Sequence, residues 1–104
     1  MIISTFDRVP GRETREILGI VRGNTVRVRH IGRDIVAGLR NLVGGEVTEY
    51  TKLMAECREQ AVDRMIAEAE RLGADAVLEV RFSTAEVMTH AAEILAYGTA
   101  VKLR

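Results

Sequence analysis

The residues of this chain that could do chemistry are few and scattered. His30, Cys57 and His90 are its imidazole and thiol donors, and Met1, Met54, Met65 and Met88 add thioethers. A soft-metal site needs about three or four such ligands converging at roughly 2.0–2.3 Å. None of these residues falls in a C-x-x-C, H-x-x-H or H-E-x-x-H spacing. A single cysteine makes no internal disulfide and no Cys-rich zinc site. Cys57 stands between Met54 and Ala61 at helical spacing, where a cysteine packs as a small hydrophobe. Met54 and Met65 read as core filler on the same stripe. His30 follows an Arg-rich alternation and reads as a solvated or helix-flanking residue.

Nucleophilic catalysis needs a nucleophile beside a base, or a carboxylate pair in a cleft. Ser4, Ser83 and Cys57 have no motif partner, and His30 and Asp34 are merely four residues apart. Glu86 and Glu93 flank a break in pattern, which reads as solvated surface. No catalytic residue emerges, and the expectation is a protein that is not an enzyme. The glycines match neither G-x-G-x-x-G nor a phosphate-binding loop ending in Lys-Ser/Thr. Arg22, Arg27, Arg29, Arg33 and Arg40 could together hold an anion. Pairing with acids of the same or a neighbouring chain explains them more simply.

The elements that must position these groups follow from periodicity. Met1 to Thr5 is a short apolar run closed by a turn at Asp7–Gly11. Glu16 to His30 reads as extended, with Gly23–Asn24 marking a hairpin turn or a bulge in one long strand. Ile31, Ile35, Leu39 and Leu42 predict a short amphipathic helix over Ile31–Val43, stopped by Gly44–Gly45. Met54, Cys57, Ala61, Met65, Ala69 and Leu72 predict a long helix over Tyr50–Leu72, with Thr51 as N-cap and Gly73 as its stop. Ala76 to Ser83 alternates as a strand, with Ala76, Leu78, Val80 and Phe82 on one face. Thr84–Ala92 reads as a connection, and Glu93–Leu103 as the last strand. That strand is apolar on both sides. Its smaller side, Ile94, Ala96, Gly98 and Ala100, is the predicted contact with another copy of the chain.

Composition bounds the function classes. The 104 residues are 47% hydrophobic and only 4% aromatic, with no Trp, which predicts one aliphatic-core domain over 1–104. Fifteen basic residues balance fifteen acidic ones. That balance, with so few stacking rings, argues against a nucleic-acid partner. Residues 1–45 nevertheless carry eight Arg against four acids, a net +4, and residues 46–104 carry a net −4. Halves of opposite sign can attract within one chain or between copies. No run approaches the roughly 18 apolar residues of a membrane span, and no secretory leader is visible. A cytoplasmic protein without a membrane partner is expected.

Three segments resemble the YbjQ-like family of small bacterial and archaeal proteins, which carries a heavy-metal-binding label. They are LGIVRGNTVRVRHIGRDIVAGLRNLVGG over Leu18–Gly45, YTKLMAECREQAVDRMIAEAERLGADAV over Tyr50–Val77, and AEILAYGTAVKL over Ala92–Leu103. The resemblance implies a two-layer α+β subunit, dodecin-subunit-like, with one long and one short helix on an antiparallel sheet. It implies assembly as a ring-shaped homopentamer, and no established activity. Its label points to His30, Cys57 and His90 as ligands of a heavy-metal ion; apart from that ion, no cofactor is implied. One His from each of five subunits could also meet on the ring axis. Cys57, Leu78–Glu79 and Thr89–His90 depart from the family pattern. Natural drift and engineered substitution both stay open there. The second would make the chain an assembly subunit with a second protein component as partner.

Overall fold

The structure, a computed structural model, describes residues 1–28, 48–88 and 91–104. The predicted short helix over Ile31–Val43 lies outside these residues. The described elements run β1 (Ile2–Ile3), β2 (Thr14–Val28), α1 (Thr48–Arg71), β3 (Ala76–Met88) and β4 (Ala91–Leu103). They form an α+β unit, one sheet of order β1-β3-β4-β2 with a helix laid on one face. The three long strands are antiparallel neighbours, as expected, whereas β1 adds a parallel pair on β3, so the sheet is mixed.

Helix α1 forms because its apolar residues recur every three or four positions. Cys57, Ala61, Met65 and Ala69 are all buried, and Leu53, Met54 and Val62 pack beside them. The helix begins no later than Thr48, so Thr51 lies inside it and is not its N-cap. The far end behaves as Gly73 predicts. Gly73 takes a φ of 76°, its amide donates to Glu70 O at 3.0 Å, and the Ala74 amide donates to Ala69 O at 3.0 Å. Those two bonds are a Schellman close, which needs a residue comfortable in the left-handed region. Leu72, after the last helical residue and inside this close, is 45% exposed rather than part of the stripe.

Strand β2 runs unbroken through Gly23–Asn24, with neither a hairpin turn nor a bulge there. Gly23 serves the packing instead. A Cβ on it would collide with Ala61 O and Met65 N of the helix. The missing side chain and the small Ala61 let strand and helix backbones touch. Thr25, buried beside this contact, donates its hydroxyl to Cys57 O at 3.2 Å. On the helix surface, the Arg64 guanidinium donates to Asn24 O.

The register shifts lie elsewhere. One falls between Ile17 and Gly19, and another between Leu78 and Arg81 of β3. Each inserts one residue and reverses the inside–outside alternation beyond it. In β3 this overturns the predicted common face of Ala76, Leu78, Val80 and Phe82. Ala76 and Leu78 cluster with Val101 and Leu103 on one face, while Val77 and Val80 join the helix-side core. Phe82 pairs with Ala96 and so shares the helix side. The extra residue is Glu79, with a φ of 52°. The bulged amides are not wasted: Glu79 N donates to Phe6 O and Val80 N to Ser4 O, each at 2.9 Å.

The predicted connection Thr84–Ala92 is mostly strand. β3 continues to Met88 and β4 starts at Ala91, so the two form a long hairpin. Thirteen extended residues reach about 43 Å, and the molecule measures 54 × 26 × 16 Å. The core lies between α1 and the middle of β2 and β4, where Val21, Met65, Val77 and Ile94 are fully buried. Each such side chain contributes about 1.5–3 kcal/mol.

Candidate functional site

The expected self-contact residues are placed by this core. Ile94, Ala96 and Ala100 are buried under α1 of the same chain, and Gly98 is buried between them. β4 is a central strand, paired with β2 on one side and β3 on the other. Ile94, Ala96, Gly98 and Ala100 are therefore internal packing, not an accessible interface. The helix covers the small side of β4, and no described helix lies on its larger side.

That opposite face is unevenly covered. At one end, Val9 of the loop after β1 packs over Ala76, Leu78, Val101 and Leu103. Further along, nothing among the described residues covers Ile17 and Ile20, which are 70% and 65% exposed. Val26 and Tyr97 are also exposed, and Leu95 is half-buried. Strand pairing sets them side by side: Ile20 opposite Thr99, Arg22 opposite Tyr97, and Asn24 opposite Leu95. Two shallow depressions adjoin here. One of about 270 Å³ is lined by Ile20, Glu79, Arg81, Tyr97, Gly98 and Thr99. The other, about 240 Å³, is lined by Ile20, Arg22, Leu95 and Tyr97. Arg81 is held, donating from Nη1 to Thr5 O at 3.1 Å and to Val80 O at 2.9 Å. Arg22 sits exposed at the rim.

Of the predicted metal ligands, Cys57 alone lies among the described residues. Cys57 is 1% exposed in the apolar core, beside Ala61. His30 and His90 lie outside the described residues, as do Arg29, Arg33, Asp34 and Arg40. No group of three or more His, Cys, Asp or Glu able to hold a metal occurs among the described residues. The core cluster around Cys57 supplies alkyl groups and the thioethers of Met54 and Met65, with no imidazole, carboxylate or second thiol among its described residues. Ser4 Oγ accepts the Phe6 amide at 3.0 Å, a local turn contact. Glu93 accepts from Asn24 at 3.3 Å, while Glu86 and Ser83 are exposed.

The whole chain, residues 1–104, matches the YbjQ family model described as "Putative heavy-metal-binding". The chain belongs to this YbjQ family. Its relatives carry no catalytic name. A UPF0145 protein of Archaeoglobus fulgidus is 60% identical over 104 residues, covering 100% of this chain and 96% of its own. One from Thermus thermophilus is 57% identical over 103 residues, covering 99% and 90%. A crystal structure of a protein of unknown function from Pediococcus pentosaceus superposes with a TM-score of 0.71, covering 100% of this chain and 98% of that one. At 14% identity it shows that the YbjQ fold is shared. Among the described residues of this YbjQ chain, no helix is long and apolar enough to cross a membrane.

The exposed pair Ile17 and Ile20 was hidden in the sequence inside the dense run Ile17, Leu18, Ile20, Val21. A period-2 reading sends Ile17 and Ile20 to opposite faces. The inserted residue next to Gly19 puts both on the uncovered one.

Proposed function

We propose that the protein is a structural subunit that assembles with copies of itself into a closed ring and has no catalysis of its own. The observation that carries this reading is the apolar sheet face at Ile17, Ile20, Val26 and Tyr97, uncovered by any described element. Exposed contiguous apolar surface of this kind marks association. The pentamer implied by the family resemblance is one ring with two contacts per copy, and a single-domain subunit over 1–104 suffices for it. Its partners are then its own copies, with neither nucleic acid nor membrane involved, in the cytoplasm. Sedimentation velocity at micromolar concentration tests the reading. A discrete oligomer is expected, and a stable monomer would sink it.

The family description favours a second reading, a heavy-metal-binding module using His30, Cys57 and His90. Titration of zinc, copper(I) and cadmium separates the two. The metal reading requires affinity that falls when these residues are replaced, whereas the assembly reading expects no such dependence.

A further inference from the structure

The sheet carries a second unfinished surface, and it faces the other way. α1 packs on β2 and β4 and scarcely reaches β3. Beyond the helix, no described element covers the helix-side strip of β3: Phe82, Thr84 and Glu86, whose partners Ala96, Ile94 and Ala92 fix that side. Phe82 is 49% exposed there. The depressions at Ile20 and Tyr97 lie on the opposite face. The two surfaces also differ in charge. The depressions are lined by Arg22 and Arg81 against Glu79, and the strip carries Glu86 alone.

Resting on the self-assembly reading above, we infer that the Phe82–Glu86 strip of one copy docks into the Ile20–Arg22–Tyr97 depression of the next. The strip brings one aromatic ring with a carboxylate two turns of the pleat along. The depression offers an apolar floor with a guanidinium at its rim. A two-fold contact would bury one of these patches against itself and leave the other bare, with like charges facing. A head-to-tail contact buries both and sets opposite charges together. Each copy then has two neighbours, which is the condition for a ring rather than a dimer.

Two variants test the contact. Phe82→Asp spoils the strip, and Ile20→Lys spoils the depression; both positions are exposed, and circular dichroism checks that each variant folds. Native mass spectrometry with crosslinking is run at the concentration where the parent assembles. Each variant alone is expected to be monomeric. Mixed in equal amounts they are expected to form a one-to-one heterodimer and nothing larger, because only one of the two possible junctions is intact. Either variant assembling alone as the parent does, or forming dimers alone, would overturn the contact while leaving self-assembly standing. If Phe82→Asp or Ile20→Lys fails to fold, the milder Phe82→Ser and Ile20→Thr are read the same way. A monomeric parent would overturn the contact and the assembly reading together.

Discussion

Gly23 of β2 lies against the carbonyl oxygen of Ala61 in α1, with no space for a side chain between strand and helix. This contact sets how closely the two layers approach, and with it the burial of Val21, Met65 and Ile94 around it. Gly23→Ala should therefore push the helix off the sheet. A loss of about 2–3 kcal/mol is expected, because the obstructing atoms are backbone and cannot turn aside. Urea denaturation of the variant measures it.

The bulge opposite Gly98 gives a paired prediction. A Cβ on Gly98 would stand 2.6 Å from Val77 Cγ1 and 2.9 Å from Leu78 O. Gly98→Ala should cost about 1–3 kcal/mol. Across the bulge, Glu79 holds a φ of 52°, where β-branched side chains fit worst. Glu79→Ile should lower stability by about 1–2 kcal/mol, and Glu79→Gly should keep the melting temperature at or above the parent's. Thermal unfolding of the three variants orders them.

The Thr25 hydroxyl is a polar group held inside the core by one bond to the helix. Thr25→Val keeps the shape and removes the bond, for an expected loss of about 1 kcal/mol. Thr25→Ser should retain most of it. The neighbouring Cys57 should be silent to a thiol-reactive chromophore in the native protein and react fully once denaturant unfolds it. Rapid native labelling would place the thiol outside the core.

Ala100 and Ile20 are two apolar residues of neighbouring strands with opposite fates. Ala100→Arg forces a guanidinium between the sheet and α1, where Ala100 is fully buried. A loss of about 3–5 kcal/mol in the subunit itself is expected. Ile20→Lys alters an exposed position and should leave the subunit's fold as it is. Near-ultraviolet and far-ultraviolet dichroism distinguish the two.

These pairs show what periodicity can and cannot tell. The stripe Cys57, Ala61, Met65 and Ala69 was legible because nothing interrupts a helical period, and Gly73 ended it as its chemistry demands. The faces of β4 were legible as two sets, but alternation does not say which set the helix covers. Ile94, Ala96, Gly98 and Ala100 were therefore expected outside and are found inside. Strand β3 was misread past Leu78 because one extra residue inverts everything after it. A Glu in the left-handed region carries no sequence signal of the kind a glycine gives. Ile17 and Ile20 were split by the same kind of inserted residue, although there Gly19, at a φ of 130°, marks the bulge.

The Arg64–Asn24 contact bears on colloidal behaviour. Among the described residues, β2 has a sheet neighbour on one side only, and it is fifteen residues long. An edge of that length is a template on which stray extended chains can grow into aggregates. The Arg64 guanidinium occupies the Asn24 carbonyl, in the second half of the strand. A mis-docked strand would have to break a charge-assisted bond before it could zip past that point, so a chain still waiting for its neighbours is guarded against precipitation.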